Sequence, residues 1–276
     1  MRAIAIFDID GVLRDVGGSY RRAIADTVEH FTQNHAQDLT PGSYRPTLAD
    51  IDQLKSEGLW NNDWQASQEL IYRQFEQQGK SRTHLNLDYD VLVEFFQSRY
   101  RGPDPQTWTG YICSEPLLCK ASYFEQLTQA GIAWGFFSGA MRDEALYALT
   151  GRLGFADPAL IAMEDAPGKP DPTGLFRVVE MLDPQLEVEP ESPIPVIYAG
   201  DTVADLQTII QARQQQPDRQ WLGVGVLPPH VQTDPTQTTA YYSTLENAGA
   251  SLVIGNIEEL TGAEIENLIA CNSSHQ

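Results

Sequence analysis

Long apolar runs are missing from this 276-residue chain, so no segment offers the roughly 20 consecutive apolar residues that a membrane-spanning helix requires. No membrane partner is expected. Cysteine is scarce as well: Cys113, Cys119 and Cys271 are odd in number and fit neither a metal-ligand spacing nor a disulfide framework. That usage suits a reducing interior, and cytoplasm is the expected location. Basic residues are few, 18 Lys and Arg against 38 Asp and Glu, for a net charge of -20. A surface this acidic repels phosphate backbones and anionic headgroups, so nucleic acid is not an expected partner. The acidity serves solubility, and an anionic substrate would need its own local positive charge. Internal repeats and long low-complexity tracts are also lacking. The opening MRAIAIFDIDG meets two carboxylates after a short apolar stretch and reads as a buried strand rather than a signal peptide.

What is present is a series of short runs rich in Ile, Val, Ala and Phe, each bounded by Gly, Pro or Asp and followed by a segment of helical period. They are Ala3 to Phe7, Ile132 to Phe137, Ala159 to Met163, Pro195 to Ala199, Trp221 to Val226 and Ser251 to Ile254. Continuous apolar strands alternating with helices predict an α/β protein, a Rossmann-like doubly wound parallel sheet covered on both faces. The stretch between the first two runs is too long for one crossover. It shows helical periodicity near Ser19 to Asn34, Thr47 to Glu57, Asp63 to Gln78 and Tyr89 to Arg101. An all-helical inserted domain is therefore expected at about residues 16–110, with the core in about 1–15 and 111–276. Asp183 to Pro193 and Pro228 to Thr239 are Pro-rich and polar and read as surface loops.

In a parallel sheet the ligands bind beyond the carboxyl ends of the strands, so the polar residues after each run matter most. The first run is followed by Asp8-Ile9-Asp10-Gly11-Val12. Residues two apart in extended chain point to one side, so Asp8 and Asp10 face one site and must share a proton or bind a cation. After the second run, Ser138 and Gly139 lead into a helical segment at Met141 to Thr150. A hydroxyl with free N–H groups there serves a phosphate or simply caps the helix. Lys169, ahead of Pro170, is held off helical geometry and can neutralise an anion, although a lysine in a Pro-rich loop is ordinarily solvated. Gly200-Asp201-Thr202-Val203-Ala204-Asp205 ends the fourth strand run. It sets two carboxylates one helical turn apart, hard oxygen donors of the kind Mg²⁺ prefers, or else a cap and a surface charge.

In the order DxD, Ser, Lys, GDxxxD, these four elements resemble the motifs of the haloacid dehalogenase superfamily. The resemblance implies Asp8 as nucleophile and Asp10 as acid/base. Ser138, Gly139 and Lys169 would hold phosphate, with Asp8, Asp10 (through its backbone carbonyl) and Asp201 around Mg²⁺ and Asp205 in support. The helical insertion occupies the position of the family's cap. Asp10 argues against dehalogenation, since dehalogenases lack an acid there, and for a Mg²⁺-dependent phosphatase acting on a small phosphorylated metabolite. A phosphomutase and a non-catalytic phosphate-binding module are the alternatives.

Within the insertion, Leu59-Trp60-Asn61-Asn62-Asp63-Trp64 offers Asn61, Asn62 and Asp63 as substrate-binding candidates, while Trp60 and Trp64 at helical spacing are read as packing residues. Asn62 or Asp63 equally suits a helix cap. Arg14, just past the first motif, would touch substrate or shield the acidic site. Oligomeric state is expected to be monomer or homodimer.

Overall fold

The structure is a computed structural model that describes residues 2–34, 43–55, 57, 59–60, 62–183 and 193–273. Its chain divides into two compact units, one formed by Met1–Asp15 with Pro116–Gln276 and the other by Val16–Glu115.

The first unit is a six-stranded parallel sheet of β1 (Ala3–Phe7), β2 (Ile132–Phe137), β3 (Leu160–Ile161), β4 (Val196–Gly200), β5 (Trp221–Val226) and β6 (Leu252–Ile254) in the order β3-β2-β1-β4-β5-β6. Winding reverses between β1 and β4, which makes that junction the topological switch point where such sheets bind ligands. Every residue of β1 and β4 is buried, as a strand covered on both faces demands. Alternation divides their side chains. Ala3, Ala5 and Phe7 pack with Phe124 and Leu127 of α5 (Ala121–Gln129), Ala145 of α6 (Arg142–Leu146) and Leu268 of α10 (Gly262–Ser273). Ile4 and Ile6 pack with Leu175 and Val178 of α7 (Thr173–Leu182) and Ile209 of α8 (Val203–Gln215). The sheet is therefore doubly wound, as its strand and helix alternation predicts.

Some expectations shift. The third run contributes only the two residues of β3, and the helix after β2 gives way beyond Leu146 to a π-helical turn at Tyr147–Arg152. The loop expected at Pro228 to Thr239 is instead a 3-10 turn, Pro229–Thr233, followed by the start of α9 (Pro235–Asn247). Pro235 sits in the first turn, where its missing N–H costs nothing, and Asp234 caps the helix by accepting from Thr236 N–H. Proline richness there marks a helix start. The other expected loop lies mostly outside the described residues. Among the described residues, no helix is long and apolar enough to cross a membrane.

The second unit is helical: α1 (Tyr20–Asn34), α2 (Leu48–Lys55), α3 (Asp63–Gln77) and α4 (Tyr89–Tyr100). Ala23, Ile24, Val28 and Phe31 form the buried face of α1, while Ala66, Leu70, Ile71 and Phe75 form that of α3, both at the three-to-four spacing of an amphipathic helix. Buried Thr27 and Thr32 satisfy their hydroxyls by donating to the carbonyls of Ala23 and Val28 one turn back.

Candidate active site

Sheet register assembles the site. Phe7 pairs with Phe136 on one side and Ala199 on the other, so the residue after Phe7 emerges between the ends of β2 and β4. That residue is Asp8. Its N–H extends the ladder to Ala199 O (2.8 Å), and its Oδ1 accepts from Ile9 N–H (2.8 Å). The chain then turns through Gly11 at φ +73°, a left-handed conformation that side chains resist. A Cβ on Gly11 would lie 2.0 Å from Asp201 Oδ2, so its absence is what admits the Asp201 carboxylate to the turn.

Asp8, Asp201 and Asp205 each present a carboxylate oxygen within 4.8 Å of the others. Lys169 Nζ answers this charge, 2.9 Å from Asp8 Oδ2 and 2.7 Å from Asp205 Oδ1, and it lies over the faces of Phe137 and Tyr198. Asp205 is fully engaged. Its Oδ1 also faces the Tyr198 hydroxyl at 2.8 Å, and its Oδ2 accepts from Thr202 N–H (2.9 Å) and Thr202 Oγ1 (2.6 Å), completing a capping box at the start of α8. Burial raises Asp8 to about 7, with Lys169 opposing the rise and Asp205 and Asp10 adding to it. Burial, Asp205 and Asp8 likewise hold Asp201 well above the usual carboxylate range. Asp205 goes the other way: burial would raise it, but Lys169 and the Thr202 hydrogen bonds prevail and keep it ionised. Lys169 is shifted upward because Asp205 and Asp8 outweigh its own burial. Asp8 and Asp201, with carboxylate oxygens this close, offer hard donors that a divalent cation fits, whereas the oxygens of Asp205 are taken up by Lys169, Tyr198 and Thr202.

Ser138, 1% exposed, ends β2 beside this group. Its N–H donates to Ile161 O, and its Oγ accepts from Ala140 N–H (3.1 Å). It is not the N-cap of α6, which is Met141. A Cβ on Gly139 would meet nothing within 4 Å, so the space beside that backbone is open. Asp10 is not a member of that three-carboxylate group: its side chain is 37% exposed and paired with Arg14 Nε at 2.6 Å. Arg14 itself is 1% exposed and buried in the core unit.

In the helical unit, Asn62 is the N-cap of α3 and accepts from Trp64 and Gln65 N–H, whereas Asp63 pairs with Lys55 at 2.5 Å. Trp60 donates to Glu57 and lies under Arg73. Asn61 lies outside the described residues.

Sequence reasoning passed over Tyr198, Thr202 and Tyr241, whose hydroxyl donates to Asp201 O (2.9 Å). Two of these left a signal. A tyrosine inside a fully buried strand needs a polar partner, and Thr202-Val203-Ala204-Asp205 has the spacing of a capping box. Tyr241, forty residues from its partner, left none.

Residues 3–213 match the family model for haloacid dehalogenase-like hydrolases. A curated relative, an imidazoleglycerol-phosphate dehydratase of Phytophthora nicotianae, is 28% identical over 257 residues, 90% of this chain. The chain spans about half of that relative's length, 49%. Among solved structures, a phosphonoacetaldehyde hydrolase-like protein from Oleispira antarctica superposes with a TM-score of 0.62 at 15% identity, covering 96% of this chain and 92% of that one. A HAD family hydrolase from Deinococcus radiodurans R1, with bound phosphate and sodium, gives 0.58 at 17% identity, covering 96% of each chain. With the family match running through every strand-end motif from Asp8 to Asp205, the chain belongs to the haloacid dehalogenase-like hydrolases.

Proposed function

We propose that this hydrolase is a Mg²⁺-dependent phosphatase that cleaves a small phosphomonoester through an aspartyl-phosphate on Asp8. The observation that supports this reading is Lys169 Nζ, set between Asp8 and Asp205 at 2.9 and 2.7 Å beside the Asp201 carboxylate. An anionic substrate finds its local cation there, in a chain that is otherwise strongly acidic. Asp8 and Asp201, with the backbone carbonyl of Asp10, would hold the metal, since Asp205 has its oxygens committed to Lys169, Tyr198 and Thr202. Mg²⁺, when bound, offsets the negative charge of nucleophile and phosphoryl group so that two anions can meet.

The residues divide the remaining work. Asp8 attacks phosphorus while Lys169, Ser138 and the open backbone at Gly139 hold phosphoryl oxygens. Asp10 gives a proton to the departing alkoxide and then takes one from the water that hydrolyses the acyl phosphate, restoring Asp8. Selectivity for the alcohol is assigned to the helical unit Val16–Glu115, acting as the family's cap. Phosphate bound by the Deinococcus hydrolase supports the choice of ligand.

The experiment measures phosphate release with and without Mg²⁺ across sugar phosphates, phosphoglycolate, amino-alcohol phosphates, imidazoleglycerol phosphate and phosphonoacetaldehyde. Metal-dependent release from a phosphomonoester, abolished by Asp8→Asn, is expected. Full turnover by Asp8→Asn would refute the scheme, and accumulation of an isomerised sugar phosphate in place of free phosphate would reassign the chain as a mutase.

A further inference from the structure

Arg14 has a place that the proposed chemistry leaves unused. Its backbone is held on two sides: Gly11 N–H donates to Arg14 O (2.9 Å), and the flanking residues pair with the returning chain through Leu118 N–H to Leu13 O and Asp15 N–H to Pro116 O, each 2.8 Å. Isolated bridges join Arg14 to Asp10 and to Leu117. From this fixed point the side chain runs inward, 1% exposed, and Nε donates to Asp10 Oδ1 at 2.6 Å. A guanidinium is costly to bury, and it is tolerated where charged and hydrogen-bonding partners compensate.

Without a cation, repulsion by the neighbouring carboxylates and attraction to Arg14 both favour the position Asp10 takes, and a bound cation would reverse the first. Asp10 lies two residues from Asp8, which with Asp201 would hold that cation. A carboxylate beside such a cation is a hard ligand and tends to join it. Once ligated, it would no longer be free to exchange protons with a leaving group. Resting on the phosphatase reading above, we infer that Arg14 is a positioning residue that keeps the Asp10 carboxylate apart from the Asp8, Asp201 and Asp205 group and so reserves it for proton transfer.

The test uses the full chain with Arg14→Met, Arg14→Lys and Asp10→Asn, singly and combined, assayed on the best phosphomonoester of the panel. Arg14→Met is expected to lower kcat by roughly tenfold or more with KM within about twofold, as misplacement of a reacting group does. Arg14→Lys should recover part of the loss. Arg14→Met should lose nothing further in the Asp10→Asn background, because both changes remove one function. Mn²⁺ binding without substrate, followed by titration calorimetry, supplies a second readout. Arg14→Met should bind the ion several-fold more tightly, and this gain should vanish in the double variant. A gain that persists with Asn at position 10 would reflect the lost positive charge alone and would overturn the inference. Multiplying losses in kcat would overturn it too. If Arg14→Met does not fold, Arg14→Lys and Arg14→Gln carry the same comparison. Full activity of Asp10→Asn alone would instead strike the phosphatase reading itself.

Discussion

Tyr198 places its hydroxyl 2.8 Å from Asp205 Oδ1 and 3.1 Å from Phe137 O, joining the last turn of the site to the end of β2 beneath the strand that carries Asp8. Asp205 in turn holds Lys169. Tyr198→Phe removes one hydrogen bond to a buried carboxylate and is expected to cost about 1–3 kcal/mol of stability. Urea denaturation measures this. Turnover should fall while Mg²⁺ dependence stays, because Asp8 and Asp201 are untouched.

Gly11→Ala should be more damaging than its size implies. The new Cβ would meet Asp201 Oδ2 at 2.0 Å in a backbone at φ +73°. Strain of this kind costs on the order of 1–3 kcal/mol, and relief would come by expelling Asp201 from the site. Thermal melting and Mg²⁺ titration of activity should show lower stability together with weakened metal dependence. A variant with unchanged Mg²⁺ affinity would contradict this.

Stabilisation by Mg²⁺ should grow between pH 6 and pH 8. Asp8 is raised to about 7 and Asp201 also lies well above its ordinary value, so below neutrality both tend to keep protons that a cation must displace. As pH rises through about 7 the competition ends and binding strengthens. In the metal-free protein the same raised groups act the other way, favouring the folded state at low pH and withdrawing that support as pH climbs toward 7. The difference in Tm between Mg²⁺ and EDTA should therefore widen with pH, and a constant difference would show that the two carboxyls are not the ligands.

Asn62→Ala should cost about 1 kcal/mol, the usual loss when an N-cap side chain is removed, whereas Asn62→Asp should cost little because it accepts from the same N–H groups of α3. Circular dichroism melts test the stability. Kinetics of the same variants test the substrate role expected from sequence, which would appear as a raised KM in Asn62→Asp despite an intact cap.

Much of the sheet was legible because a strand buried on both faces has to be apolar throughout. β1, β2 and β5 coincide with their apolar runs, and β4 lies one residue along. β3 is shorter than its run, since only Leu160 and Ile161 find partners in β2. The Pro228 to Thr239 stretch misled because proline ends helices and also begins them, and composition does not distinguish the two. The strand-end motifs were equally visible, and the structure brings carboxylate oxygens of Asp8, Asp201 and Asp205 within 4.8 Å of one another and Lys169 into contact with Asp8 and Asp205.

The linear order of residues determined where strands and helices alternate and which polar groups stand at strand ends, since both follow from local period and from the chemistry of Gly, Pro and Asp. Tertiary structure alone decided which of those groups meet. Lys169 touches Asp8 across 161 residues because β1 and β3, parallel strands of one sheet with β2 between them, end at the same edge, and Asp10 turns to Arg14 rather than to the three neighbouring carboxylates because a buried guanidinium attracts it and like charge does not. Distances of that kind depend on sheet register and burial, which no local pattern encodes.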